Sequence, residues 1–183
     1  MFGTSRAPNW VNLLPPGPDL VARDGRRWTY DPAVVIAAFA SNKGPLPVDY
    51  EHAQDILAPK GEIAPAAGWI IGMAERGGAL WGKVEWTERA AQQIASREYL
   101  FISASMRLDT SGRIVRLVGA GLVNRPALPV APLMLRPTDL EAGQQAAALA
   151  RQATAYQAAQ AALGRCITIM EAVETVASQT PIH

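Results

Sequence analysis

Two short stretches of this chain carry residue types that do chemistry together. Pro47-Val48-Asp49-Tyr50-Glu51-His52 ends in an imidazole, and Glu98-Tyr99-Leu100-Phe101-Ile102-Ser103-Ala104-Ser105-Met106 offers two hydroxyls. His52 is the one histidine besides the C-terminal His183. A serine hydroxyl is too weak an acid to attack a carbonyl unaided at neutral pH, and an adjacent imidazole that takes its proton makes it a nucleophile. An acid is useful beside such a base, because it orients the ring and stabilises the imidazolium. Asp49 and Glu51 lie close to His52 in sequence, although in an extended segment Glu51 points away from it. The plainer alternative is a structural histidine and a half-buried strand whose serines are polar filler. Neither Gly-x-Ser-x-Gly nor a chymotrypsin-like serine context occurs, which excludes the common hydrolase elbows.

The elements that must position these groups follow from local pattern. Leu46–Tyr50 reads as a short strand leading to His52, with Gln54–Ala67, rich in Pro, Gly and Ala, as a loop. Leu100–Leu108 and Arg113–Asn124 read as two strands joined by the turn Asp109-Thr110-Ser111-Gly112. In a strand, Ser103 and Ser105 share one face with Phe101, while Ile102, Ala104 and Met106 share the other. Around these lie a strand over Asn9–Leu14 and a helix opened by Asp31-Pro32. A hairpin joins Gly68–Ala74 to Ala79–Trp86, and a helix capped by Thr87 runs to about Ser96.

Composition changes after Pro137. Thr138–Leu163 is dense in Ala and Gln, has no Pro, and reads as helix, with Thr138 and Glu141 as a capping box. Leu149, Tyr156, Leu163 and Met170 recur every seven residues, with Ala159, Cys166 and Val173 three residues after the last three, a weak heptad broken by Gly164. The boundary falls between a first domain, 1–135, and a helical tail, 136–183, suited to self-association.

The remaining features mostly exclude. The chain has 183 residues, 17 basic and 16 acidic side chains and a net charge of +1, a balance that argues against a nucleic-acid face. No apolar run is long enough for a membrane span, and Met1–Asn9, with no apolar run behind a basic start, leads us to expect no secretory signal. The single cysteine, Cys166, forms no intrachain disulfide, which fits a reducing compartment. Asp49, Glu51, His52 and Asp55 form a small cluster that suits a hard cation at best, and paired Cys or His spacings for zinc are absent, so no metal and no cofactor is expected.

Five stretches in this order resemble the Mu-like prophage I protein family. They are Val48-Asp49-Tyr50-Glu51-His52; Ala64-Pro65-Ala66-Ala67-Gly68-Trp69-Ile70; Leu80-Trp81-Gly82-Lys83-Val84-Glu85-Trp86-Thr87; Arg97-Glu98-Tyr99-Leu100-Phe101-Ile102-Ser103; and Leu117-Val118-Gly119-Ala120-Gly121-Leu122-Val123-Asn124-Arg125-Pro126-Ala127-Leu128. The resemblance covers roughly positions 8 to 135. It implies a serine endopeptidase in the bacterial host cytoplasm, inside the immature phage head, cutting scaffold, capsid protein and itself. His52 is then the base and Ser103 the nucleophile, with Ser105 as fallback. More distantly the chain is similar to prohead proteases related to herpesvirus assemblins. That implies an α+β fold, a mostly antiparallel β-barrel ringed by helices, followed by the long C-terminal helical tail.

The third catalytic member does not carry over. Assemblins use a second histidine, absent from the first domain, and where related proteases place an acid this chain reads Gly119-Ala120-Gly121. Asn124, Asp49 and Glu51 are the candidates, and a dyad is the remaining option. Arg107 or Arg125 are candidates to order an oxyanion loop. The competing reading is a non-catalytic assembly scaffold that keeps the protease fold. A third is a metal-assisted hydrolase centred on His52 and Asp49. Expected partners are scaffold and major capsid protein, not nucleic acid or membrane.

Overall fold

The structure, a computed structural model, describes residues 7–134 and 137–179, without the side chains of 137–148 and 179. The capping box expected of Thr138 and Glu141, and His183, therefore lie outside what is described. The chain divides into two compact units, Met1–Leu135 and Arg136–His183.

The first unit is built on eight strands: β1 (Trp10–Leu14), β2 (Asp19–Val21), β3 (Arg27–Tyr30), β4 (Leu46–Tyr50), β5 (Gly68–Arg76), β6 (Ala79–Trp86), β7 (Phe101–Leu108) and β8 (Arg113–Val123). They run in the order β1-β6-β5-β4-β8-β3-β2, and β7 pairs with β8 from outside this path. The pairings β1–β6, β2–β3, β4–β5, β5–β6 and β7–β8 are antiparallel. β3 and β4 instead pair with β8 in parallel, at Thr29–Tyr30 and at Val48–Tyr50. The result is an α+β fold with a mixed sheet curled into a half-barrel. It is not a closed antiparallel barrel: β1 and β7 approach each other without a ladder between them among the described residues.

Leu13, Leu14, Val48, Ile70, Leu80, Ile102, Ile114 and Leu122 are fully buried and fill the curl. Each such side chain stabilises the fold by about 1.5–3 kcal/mol relative to exposure. Alternation in the strands explains the choice. Val48, Ile102 and Leu122 face inward, which turns Asp49, Ser103, Ser105 and Gly121 toward the opposite face.

Helix α1 (Pro32–Ala40) begins where Asp31 accepts from the Ala33 amide, with Pro32 at its first position. It packs on β8 and β5. The β5–β6 hairpin turns on Gly77 and Gly78, both at positive φ, as a two-residue turn of this twist requires. The stretch 54–67 is not simply loop: it holds most of a one-turn helix α2 (Ala53–Ile56) and a 3-10 turn (Ala58–Lys60). Strands β2 and β3 are too short to show alternation and have no counterpart in the sequence reading. Helix α3 (Glu88–Ala95) is capped by the Thr87 hydroxyl, which accepts from Ala90.

The second unit holds α4 (Pro137–Ala162) and α5 (Ile169–Gln179), which pack on each other. Gly164 takes a left-handed φ of 74° between them, so the seven-residue repeat through Leu163 and Met170 is not carried by one continuous helix. Both residues are exposed. Gln157 crosses back to donate to the Ile167 carbonyl at 2.9 Å.

Candidate active site

His52 reaches its position through an abrupt reversal at the end of β4. The Glu51 amide makes a last ladder bond to the Leu122 carbonyl at 3.0 Å. Glu51 (φ 54°) and His52 (φ 60°) then both adopt left-handed backbone, which turns the chain back over β8. Such conformations cost on the order of 1–3 kcal/mol each for residues with a Cβ, and persist only where the surroundings enforce them. Here α2 begins immediately, with Asp55 and Ile56 amides donating to the His52 carbonyl at 3.0 Å. His52 sits at the cap position of α2 but makes no capping bond through its side chain. Asp49 takes that role: its Oδ2 accepts from the Gln54 amide at 2.7 Å.

Gly121 is what lets the turn close. It pairs with Asp49 across β4–β8 and with Ser103 across β7–β8. A Cβ on Gly121 would lie 2.8 Å from the His52 nitrogen, 3.1 Å from Asp49 Oδ1 and 3.3 Å from His52 Cγ. Gly119, opposite Ser105, is similarly closed in by the Pro47 carbonyl at 2.9 Å. The two glycines leave a floor free of side chains between β4 and β7.

Across that floor the imidazole meets Ser105. His52 Nδ1 lies 3.0 Å from Ser105 Oγ, and the same hydroxyl donates to Asp55 Oδ2 at 2.5 Å. Asp55 Oδ2 is 3.8 Å from His52 Nδ1. His52 and Ser105 are half-buried and Asp55 is exposed.

The serine that the structure brings to His52 is Ser105, not Ser103. Both serines sit on the outer face, Ser103 opposite Gly121 and Ser105 opposite Gly119, and the β7–β8 register slips just after Ser105, where Met106 meets Leu117. A bulge of this kind bends the strand and re-aims the neighbouring side chain. Ser103 makes no side-chain hydrogen bond among the described residues and borders a small cavity with Leu13, Ile102, Ala127 and Val130.

The three third-member candidates fall elsewhere. Asn124 ties the start of β7 to the end of β8, accepting from the Leu100 amide at 3.1 Å and donating to the Glu98 carbonyl at 2.9 Å. Glu51 is exposed and makes no hydrogen bond or ion pair with His52 or Ser105 among the described residues. Asp49 is 3 % exposed, with Oδ1 buried and without a hydrogen-bond partner among the described residues. Burial pushes its carboxyl above the usual range, against the pull of the Gln54 amide and of His52. Asp49 holds the turn that carries His52 and does not itself bond the ring. Among the described residues no hydrogen bond or ion pair joins Arg107 or Arg125 to His52 or Ser105. No group of three or more His, Cys, Asp or Glu among the described residues is arranged to hold a metal.

Sequence reasoning placed Asp55 only in a loose acidic cluster. The signal that singles it out is spacing: three residues apart on one helical turn, His52 and Asp55 share a face.

Comparison with known proteins agrees with the family resemblance. Residues 11–134 match the family described as Mu-like prophage I protein, N-terminal domain. The chain is 32% identical over 136 residues to the Mu-like prophage FluMu I protein of Haemophilus influenzae, an alignment covering 65% of this chain and 38% of that one. The chain thus spans well under half the length of that relative. No solved structure matches. No helix among the described residues is long and apolar enough to cross a membrane. With the match running from β1 through β8 and the turn that follows, this chain belongs to the Mu-like prophage I protein family.

Proposed function

We propose that the chain is a serine endopeptidase of phage head assembly, with Ser105 as nucleophile and His52 as base. The observation that carries the reading is the 3.0 Å approach of His52 Nδ1 to Ser105 Oγ on an open face of the sheet. That distance is within the range a general base needs. As Oγ bonds to the peptide carbonyl carbon, the hydroxyl proton passes to Nδ1 and the carbonyl electrons move onto oxygen. The imidazolium then gives that proton to the departing amine as the carbon–nitrogen bond breaks. Water repeats the sequence on the acyl-enzyme, losing a proton to His52, and Ser105 regains its own. Backbone amides facing the oxyanion supply about 3–4 kcal/mol each in such enzymes.

The natural substrates are scaffold protein, capsid protein and the chain's own tail, cut in the host cytoplasm inside the immature head. The curled, mostly antiparallel sheet suits a distant kinship with assemblin-like proteases, and the helical unit suits contacts with scaffold. A second reading, a scaffold that keeps the protease fold, draws on one observation. The acid at this site touches the serine, and the second ring nitrogen of His52 makes no hydrogen bond within the described protein.

The test is co-expression with cognate scaffold and capsid protein, comparing wild type, Ser105→Ala and Ser103→Ala by intact mass. Defined fragments from wild type and Ser103→Ala but not Ser105→Ala support the proposal. Fragments lost only in Ser103→Ala return the nucleophile to Ser103. No fragments from any chain favour the scaffold reading.

A further inference from the structure

We infer that Asp55 is the third catalytic residue of this site, acting from the serine side of the imidazole. The inference rests on the peptidase reading above. Asp55 is the acid, among the described residues, whose side chain approaches both partners: Oδ2 accepts from Ser105 Oγ at 2.5 Å and stands 3.8 Å from His52 Nδ1. Of the three candidates drawn from sequence, Asn124 bonds to backbone, Asp49 lies beneath the turn, and Glu51 makes no hydrogen bond or ion pair with His52 or Ser105 among the described residues.

The placement is built by the fold. α2 is a single turn, so residue 55 stands directly over residue 52. The left-handed pair at Glu51 and His52 aims that turn at β7, and Asp49 pins it through the Gln54 amide.

The chemistry follows from proton count. Ser105 has one hydroxyl proton and two acceptors facing it, a carboxylate and an imidazole nitrogen. In the resting arrangement the hydroxyl keeps its proton and donates it in a hydrogen bond to the carboxylate, which fixes the hydroxyl's orientation. For attack the hydroxyl turns to Nδ1, the proton moves there, and Oγ bonds to the carbonyl carbon. The carboxylate then lies 3.8 Å from the ring nitrogen that has taken the proton, where it stabilises the imidazolium. When the proton leaves for the amine, Asp55 is unchanged. The carboxylate thus orients the nucleophile first and stabilises the charged base second.

The experiment uses the full chain and a fluorophosphonate probe, which reports serine nucleophilicity without a known substrate. Labelling rates are followed by intact mass from pH 5 to 9 for wild type, Asp55→Asn, Asp55→Glu and Ser105→Ala, with thermal melts of each. Asp55 is exposed, so the isosteric amide keeps the fold. The expected result is labelling of Asp55→Asn slower by at least about ten-fold. Asp55→Glu should recover part of the rate. Equal or faster labelling of Asp55→Asn, or no recovery in Asp55→Glu, overturns the inference and leaves a Ser105–His52 dyad. A wild-type chain that never labels at Ser105 overturns the peptidase reading and this inference together.

Discussion

The backbone of Gly121 lies under the His52 imidazole, so close that a Cβ there would stand 3.3 Å from His52 Cγ and 2.8 Å from the His52 nitrogen. Neither contact can be relieved by a flexible side chain, because one is the root of the ring and the other is backbone. Gly121→Ala should therefore displace the 51–54 turn and separate Nδ1 from Ser105. A misplacement of about 1 Å costs on the order of 100-fold in rate. Fluorophosphonate labelling should fall by that order while the chain still melts cooperatively. Wild-type labelling in Gly121→Ala would show that His52 does not depend on this floor.

Asp49 makes a prediction about pH and stability. Its folded-state carboxyl is raised above 3.8, chiefly by burial. A raised acid contributes stability that is fully present below its unfolded value and is lost as pH rises through the folded value. Asp49→Asn keeps an oxygen to accept from the Gln54 amide and removes the buried charge. The variant should match or exceed wild-type stability at pH 7, with the difference shrinking as pH falls toward 4. Asp49→Ala loses the cap as well, at about 1 kcal/mol. Denaturant midpoints at pH 4 and pH 7 check both. If Asp49→Asn compares worse with wild type at pH 7 than at pH 4, the sign is reversed.

Asn124 should behave as a structural residue. Its amide accepts from Leu100 and donates to Glu98, closing the entry to β7 against the exit of β8. Asn124→Ala leaves two backbone groups to find water, a loss of about 1–3 kcal/mol at most, given the exposed site. The labelling rate at Ser105 should stay within a few-fold of wild type at a temperature where both are folded. A rate collapse without destabilisation would return Asn124 to the catalytic set.

What the sequence made legible follows from how local each signal is. Asp31-Pro32 and Thr87 cap helices through groups two or three residues away, and Gly77-Gly78 makes its turn by itself, so all three are read from short windows. The pairing of an imidazole with a serine is written in two segments, 53 residues apart at His52 and Ser105, and strand alternation put both serines on the correct face. The choice between them was not visible, because it depends on where the turn after β4 sets His52 above the paired strands β7 and β8. Parallel pairing of β3 and β4 with β8 was hidden as well, because only the paired strands define it. The roles of Gly121 and Asp55 depend on two consecutive left-handed residues that are not glycine, which local propensity does not anticipate.

Tyr30 ties the far side of the sheet together and gives a last prediction, at alkaline pH. Its hydroxyl lies 2.7 Å from the Pro15 carbonyl and 3.1 Å from that of Gly78, and the ring closes over Gly17, where a Cβ would come within 2.6 Å. Burial pushes the phenol up to about 12 from 10.0. Ionisation in the folded state is therefore disfavoured relative to the unfolded chain, so stability present below pH 10 is lost as pH rises through about 12. Tyr30→Phe removes this titration and also leaves one carbonyl contact unmade, at about 1 kcal/mol. The variant should be less stable than wild type at pH 8, and the gap should narrow by about pH 11. Parallel stability profiles for the two proteins across that range would mean that Tyr30 ionises as freely in the fold as outside it.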